Sequence, residues 1–142
     1  MTTRSHRQKL LILGVHKASE GYPNVLYRIK ELRSLPDFDV AEINNPFLVE
    51  ALSRASIWSS PLFIIKALVS HIALLWRFLK APTADFIYIP YPAVSTLWLL
   101  SLMPRRVKGC SVFADAFISI YDTVVNDRGL LKPCHPLAKL LY

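Results

Sequence analysis

The segment KLLILGV, Lys9–Val15, decides the fold class. It is a short, continuous apolar run with Gly14 near its end, which is typical of a β-strand buried on both faces, as in a parallel sheet. A glycine-containing loop follows, and Val25–Ser34 then carries apolar residues at helical spacing, with Pro23 and Asn24 where a helix would begin. A strand, a loop and a helix in this order predict the first unit of a Rossmann-like sheet.

The same alternation continues along the chain. Further strands are predicted at Asp39–Ile43, Ala84–Pro90 and Val107–Ala114, and helices at Phe47–Ser56, Leu62–Lys80 and Ala93–Met103. The connections are long enough for right-handed crossovers between parallel strands. We therefore predict an α/β fold, a Rossmann-like open sheet of mainly parallel strands with helices on both faces. Residues 1–142 are expected to form a single domain, with Pro136–Tyr142 as the start of a further helix.

The composition and net charge of the chain limit the kinds of partner that it is expected to bind. Hydrophobic residues make up 53% of the chain and charged residues 19%, against about 25% charged in soluble proteins. The net charge of +7 favours anionic partners such as phospholipid headgroups or nucleotide diphosphates. The basic residues are scattered and no basic helix carries interleaved aromatic residues, so no nucleic-acid partner is predicted.

Cysteine and histidine spacing predicts neither a disulfide framework nor a metal site. Cys110 and Cys134 have no metal-ligand spacing to any histidine. The basic start MTTRSHRQK leads into an apolar run too short for a signal peptide, so the expected location is the cytoplasm. Only Gly14 and Gly21 flank the first loop, which is too few for a dinucleotide fingerprint. His16 follows the first strand and could reach a ligand there.

The most apolar segment, Leu62–Lys80, is long enough to cross a bilayer, but charged side chains lie within it. On a helical wheel Lys66, Ser70, Arg77 and Lys80 share one stripe, and the opposite side is aliphatic or aromatic. Three interpretations are open: a core helix packed on the sheet, a helix at a membrane interface, and a spanning helix, which the charges disfavour. The first two are compatible with each other.

The interfacial interpretation predicts a basic surface that meets anionic lipid headgroups. The basic cluster that follows the predicted helix Ala93–Met103 adds to the charges of Leu62–Lys80. The residues predicted to form this surface are Lys66, Arg77, Lys80, Arg105, Arg106 and Lys108.

Polar side chains crowd together after the last predicted strand, in VKGCSVFADAFISIYDTVVNDR, Val107–Arg128. Ligands of open α/β sheets bind at the carboxyl ends of strands, which is where Asp115 lies. Its carboxylate could take a proton or orient a hydroxyl, or it could cap the loop. No spacing singles out a catalytic pair among Asp115, Asp122 and Asp127.

Three strings resemble the amino-terminal domain of GT-B glycosyltransferases of the family-4 type. They are ADFIYIPYPA (Ala84–Ala93), MPRRVKG (Met103–Gly109) and DAFISIYDTVVNDRGLLKP (Asp115–Pro133). The likeness runs from the KLLILG strand to the last residue, and the third string is its specific part. The resemblance implies a two-domain, metal-independent, retaining enzyme whose first domain holds the acceptor and whose second holds a nucleotide-sugar. It also implies a basic amphipathic helix on the inner membrane face, to which Leu62–Lys80 is similar in kind.

The resemblance assigns roles to residues of the two loops. Acceptor contacts would come from Gly21 and Tyr22 on one side and from Ser119 and Asp122 on the other, while Asp115 would act at the catalytic centre by orienting a hydroxyl. Two departures from the family pattern stand out. The strand end Phe113-Ala114-Asp115 lacks the histidine that many members have, and the glycine-rich acceptor loop is reduced to Gly21-Tyr22-Pro23.

The resemblance also implies that the chain is part of a larger enzyme. The last strands of the first domain and the whole donor domain, with its paired glutamates, have no counterpart in residues 1–142. We therefore expect an amino-terminal fragment or a separately encoded half, inactive alone and binding no cofactor itself. Its partners would be the donor-domain half, in cis or as another chain, and a glycan or lipid-linked acceptor; the nucleotide-sugar would be the donor of the intact enzyme.

Two alternatives remain open. One is a non-catalytic membrane-surface interaction module, working through Leu62–Lys80 and the Arg105-Arg106-Lys108 cluster. The other is a small nucleotide-binding Rossmann domain, which the first loop disfavours because of its few glycines.

Overall fold

The computed structural model describes residues 7–47, 61–115, 121–127, 129 and 132–141. Within these ranges four strands form one sheet: β1 (Gln8–Gly14), β2 (Phe38–Asn44), β3 (Phe86–Ile89) and β4 (Ser111–Ala114). The helices of the same ranges are α1 (Pro23–Ser34), α2 (Pro61–Lys80), α3 (Val94–Ser101), α4 (Pro104–Val107) and α5 (Pro136–Leu141). A π-helical turn covers Asp122–Asp127.

The sheet is parallel throughout, with the strand order β2-β1-β3-β4. From β1 the chain crosses to β2 in one direction through α1, and it then crosses back to β3 and on to β4 in the other direction. Right-handed crossovers put the helices of opposite directions on opposite faces. Accordingly α1 covers one face, the α1 face, while α2 and α3 cover the other, the α2 face. The predicted α/β architecture is confirmed.

Strand β1 is buried on both faces, as its continuous apolar run predicts. Leu11 and Leu13 belong to the larger core on the α2 face. Ile12 points the other way and packs with Val25 and Ile29 of α1 in a smaller core. Alternate residues of a strand face opposite sides, so a strand at the centre of two cores needs apolar residues at every position.

Helix α2 rests on the sheet through one narrow side. Phe63, Ser70, Leu74 and Phe78 are buried there. Ser70 thus faces the sheet, although the helical wheel groups it with the basic stripe. Most of the apolar side of α2 faces away from the protein, so the helix is two-sided: it packs on the sheet and presents an apolar surface.

The predicted start of the fourth strand, Val107, is wrong. Val107 ends the short helix α4, which begins at Pro104, a residue suited to the first turn of a helix. Gly109 then turns the chain with a φ of 88°, a left-handed conformation that favours glycine. Strand β4 begins only at Ser111. It lies at the edge of the sheet, and all four of its residues are exposed.

The predicted helix at Phe47–Ser56 falls almost entirely outside the described residues. The other predicted helices and strands are present within a few residues of their expected bounds.

Candidate functional site

The strand order reverses between β1 and β3, and open α/β sheets bind ligands beside such a reversal, at the carboxyl ends of the strands. At this edge β1 continues into the buried Val15 and His16, and β3 continues into the buried Pro90. Strand β4 delivers Asp115 to the same edge. The loops after three of the strands therefore meet where the sequence places the candidate site.

Asp115 lies directly after β4 and is 8% exposed. Its Oδ1 accepts a hydrogen bond from Nη1 of Arg28 at 2.8 Å, and its Oδ2 accepts one from the hydroxyl of Tyr88 at 3.3 Å. Its backbone N–H donates to the carbonyl oxygen of Ile89 at 2.9 Å. Both carboxylate oxygens therefore have partners, which hold the carboxylate in one orientation while Arg28 balances its charge.

The pKa shifts in this network keep Tyr88 and Arg28 protonated, so both side chains remain hydrogen-bond donors. Burial raises the pKa of Tyr88 above its ordinary value, so the hydroxyl keeps its proton and donates to Asp115. A hydrogen bond to Tyr88 and the charge of Asp115 raise the pKa of Arg28, which stays a cation. Arg28 is 47% exposed, so its guanidinium reaches from the network to solvent. Its remaining N–H groups can meet an acceptor or anionic group on a ligand.

A second polar network lies at the end of β1. His16 is fully buried, and its Nε2 lies 3.1 Å from Oε1 of Glu42 on β2. The other carboxylate oxygen of Glu42 accepts a hydrogen bond from Arg33 of α1. Burial lowers the pKa of His16 below its ordinary value, although Glu42 opposes this shift. A neutral His16 that donates through Nε2–H to Glu42 fits this geometry, and the network ties β1, β2 and α1 together.

Two buried polar atoms lie beside Gly14 at the strand reversal. They are Nδ1 of His16 and Oγ1 of Thr96, and neither has a hydrogen-bond partner among the described residues. A methyl group placed on Gly14 would lie 3.8 Å from Nδ1 and 3.5 Å from Oγ1. Both side chains are buried. This spot therefore belongs to the interior of the protein rather than to an open binding surface.

The predicted acceptor residues before α1 lie on the same side of the sheet as Asp115. Gly21 is exposed, and Tyr22 directly precedes α1. Tyr22 packs against the small core on the α1 face. Tyr88, whose hydroxyl binds Asp115, packs against that core as well.

The predicted acceptor residues after β4 are only partly described. Asp122 begins the π-helical turn and is exposed, and its Oδ1 accepts a hydrogen bond from Nδ2 of Asn126 at 2.7 Å. Ser119 lies outside the described residues. The roles assigned to both residues remain predictions.

Sequence reasoning missed Arg28 and Tyr88. The register of β3 and β4 holds a signal for Tyr88: it pairs with Phe113, and Asp115 lies two residues farther along on the same face. A register predicted for these strands would have placed the hydroxyl near the carboxylate. Arg28 offers no such signal, since it precedes Asp115 by 87 residues and lies on a different element.

The exposed side of α2 combines apolar and basic side chains. Leu68, Ile72 and Trp76 are 61%, 55% and 59% exposed. Lys66 and Lys80 are exposed as well, and Nζ of Lys80 lies 4.5 Å from the centroid of the Trp76 ring. The stretch Leu62–Lys80 is long and apolar enough to cross a membrane by length and composition, and 22% of it is buried.

The other basic residues predicted at a membrane surface differ in what they contact. Arg105 and Lys108 are exposed. Nη1 of Arg77 donates to the carbonyl oxygen of Asn44 at 2.9 Å. Arg106 points inward, and its guanidinium donates to the carbonyl oxygens of Phe78 and Ala81 at the end of α2. Arg106 therefore holds α4 against α2.

Within the ranges that the structure describes, no group of three or more His, Cys, Asp or Glu side chains is placed to hold a metal ion. Comparison with known proteins returns no matching family, no matching curated protein and no matching solved structure. The fold and the geometry of the site therefore carry the functional argument.

Proposed function

We propose that the chain is the amino-terminal, acceptor-side part of a family-4-like GT-B glycosyltransferase. The intact enzyme would move a sugar from a nucleotide-sugar to a hydroxyl of a cell-envelope glycan, either lipid-linked or polysaccharide. A donor-domain half, in cis or as another chain, would hold the nucleotide-sugar. The observation that best supports this proposal is the Arg28–Tyr88–Asp115 network at the carboxyl edge of a Rossmann-like sheet.

The geometry favours an orienting role for Asp115 in this proposal. Each of its carboxylate oxygens already accepts one hydrogen bond, and each has capacity for another from an acceptor hydroxyl. Arg28 balances the charge of the carboxylate and holds it in place. Sugar transfer needs donor and acceptor held together, and a single domain supplies one wall of such a cleft.

The purified chain is expected to bind simple glycosides weakly without transferring sugar. Methyl glycosides added to isotope-labelled protein should shift the NMR signals of Arg28, Tyr88 and neighbouring residues, because hydroxyls would enter the Asp115 network. Incubation with UDP- or GDP-sugars and the same glycosides should give no product, because the proposed donor-domain half would supply the other wall of the cleft.

Tyr88→Phe is the matched variant, since it removes one hydroxyl from the network and keeps the ring. It should weaken binding, whereas Tyr27→Phe, at an exposed position of α1, should not. Transfer by the chain alone would contradict the half-enzyme proposal. Binding that Tyr88→Phe leaves unchanged would contradict the role of the network.

A second candidate function rests on the exposed side of α2. A non-catalytic module could insert this apolar side into the headgroup boundary of a membrane while its lysines meet anionic lipids. The exposed Leu68, Ile72 and Trp76, flanked by Lys66 and Lys80, favour it. Such docking is also compatible with the transferase proposal, as a peripheral location on the inner membrane face.

Flotation with vesicles of phosphatidylglycerol and phosphatidylcholine tests the membrane surface. The chain should float with anionic vesicles. Lys66→Ala with Lys80→Ala should lower the vesicle-binding constant about thirtyfold, because each basic residue near the surface contributes about 1 kcal/mol and about 1.4 kcal/mol corresponds to a factor of ten. Lys30→Ala with Lys139→Ala removes the same charge at exposed positions on other helices and should change little. Binding that ignores lipid charge and salt would contradict the membrane surface in both candidate functions.

A further inference from the structure

An apolar groove lies on the α1 face, beside α1 and over β3 and β4. Its volume is about 590 Å³, within the range of about 300–1,000 Å³ that small-molecule sites occupy. The strand order explains why this surface is open. Helix α1 crosses from β1 to β2, away from β3, whereas the chain from β2 to β4 crosses on the α2 face. Strands added beyond β4 in the same direction would place their connections on the α2 face as well, so they would leave the groove open.

The floor and one wall of the groove are apolar. Three aromatic rings from three strands contact one another in series along the floor. The Phe38 and Phe86 rings meet edge to face at a centroid distance of 5.7 Å, and those of Phe86 and Phe113 stack at 6.1 Å. On the α1 side Leu32 and Leu35 line the groove, and Phe113 and Leu35 are 55% and 42% exposed. A ligand with an apolar body would cover this surface and remove it from water.

One end of the groove is polar, because Arg28 and Tyr88 line it and both bind Asp115. The candidate functional site and the groove are therefore continuous. Glu31 lies one turn after Arg28 on α1 and lines the groove as well. The polar end thus carries one positive charge, on Arg28, and two negative charges, on Asp115 and Glu31. An uncharged head with hydroxyl groups fits this balance better than an anionic head, which the second carboxylate would repel.

We propose that the groove holds the apolar body of a ligand whose hydroxyl-bearing head meets Asp115. The acceptor of the proposed transferase is then a glycoside with an alkyl or aryl aglycone rather than a polysaccharide. Further sugar units in the groove would bring hydroxyl groups against aliphatic and aromatic walls that offer few hydrogen-bond partners. The groove itself defines the ligand class, whereas the role of that ligand as the acceptor rests on the proposed function.

A series of alkyl glucosides tests the apolar body with the head held constant. Methyl, butyl, hexyl and octyl β-glucosides, each below its micelle concentration, are titrated into isotope-labelled protein and followed by NMR. The affinity should rise up to about fourfold for each methylene group that enters the groove. Signals of Phe86 and Phe113 should shift with the longer chains. Octyl sulfate, with the same chain and an anionic head, should bind several-fold more weakly than octyl glucoside.

Two variants of the groove and one matched control locate the binding of the alkyl chain. Phe113→Ala removes one ring of the floor and should remove most of the gain in affinity between methyl and octyl glucoside. Leu35→Lys places a charge on the opposite wall at the end of α1 and should do the same if the first variant disturbs β4. Leu102→Ala shortens an apolar side chain that is 61% exposed after α3, and it should keep the full gain.

An affinity that stays constant along the series while methyl glucoside still binds would overturn the groove and leave the proposed function intact. A gain lost equally in Leu102→Ala and Phe113→Ala would also overturn it, since the alkyl chains would then bind any exposed apolar surface. Equal affinities for octyl sulfate and octyl glucoside would overturn the uncharged head. Octyl glucoside binding that needs Phe113 but is unchanged in Tyr88→Phe would support the groove and contradict the acceptor role. No binding of any glucoside would overturn both and leave the groove to a segment of polypeptide.

Discussion

Replacing Leu74 with alanine is expected to lower the free energy of unfolding by about 3 kcal/mol, whereas Leu68→Ala changes it by less than about 0.5 kcal/mol. Both residues lie on α2. Leu74 is 2% exposed and belongs to the larger core, while Leu68 is 61% exposed. At position 74 the substitution removes buried methyl groups and leaves a cavity, because close-packed neighbours relax only in part. At position 68 it shortens a side chain that is already in water.

Urea denaturation followed by circular dichroism measures both effects on the same helix. For both variants the free energy of unfolding should fall with the same slope as the urea concentration rises, so the midpoints of the transitions report stability alone. If both substitutions lowered the free energy of unfolding equally, α2 would pack on the sheet through a different side. A loss at Leu68 alone would place its exposed side against another part of the protein.

Replacing Asp115 with alanine is expected to lower the free energy of unfolding by about 2 kcal/mol, because two hydrogen-bond donors lose their acceptor. The hydroxyl of Tyr88 and the guanidinium of Arg28 both bind this buried carboxylate. Arg28 is 47% exposed, so solvent weakens its ion pair and allows it to find water after the change. The half-buried Tyr88 hydroxyl has less access to water, and we expect it to account for much of the loss.

A double-mutant cycle separates the two contributions. Thermal unfolding of Asp115→Ala, Tyr88→Phe and the double variant should give a coupling of about 1 kcal/mol, the value typical of residues in contact. Asp39→Ala removes an exposed carboxylate from β2 and should change stability by less than about 0.5 kcal/mol. A coupling near zero would show that the hydroxyl and the carboxylate do not support each other in solution.

Local patterns in the sequence predict the elements that are buried on both faces, and β1 is the clearest case. Its run of apolar residues can only be satisfied between two cores, which the structure contains. The pattern fails for β4, because an edge strand of SVFA is as apolar as a central one. Whether such a strand is buried depends on what lies beside it, and no local pattern encodes that.

The candidate site shows the same difference between what local sequence encodes and what depends on packing. Asp115 is predictable because it ends a strand, and strand ends define the ligand edge of an open sheet. Its partners come from distant elements, so their contacts depend on how α1 and β3 pack rather than on neighbouring residues. The wheel of α2 likewise does not identify which side meets the sheet, since it groups the buried Ser70 with the exposed basic residues. That side is set by the shape of the sheet, which receives Leu74 and Phe78.

The central position of β1 affects the order in which the chain can fold during synthesis. One edge of β1 pairs with β2, which follows soon after it, and the other pairs with β3. The backbone N–H of Lys9 also donates to the side chain of Asp85, 76 residues later. A ribosome that adds about 5–20 residues per second delivers these residues roughly 4–15 s apart. During that interval β1 has one neighbour and an open apolar edge, which other nascent strands or chaperones can reach. The strand at the centre of the finished sheet is thus an edge strand during the interval in which the ribosome adds these residues.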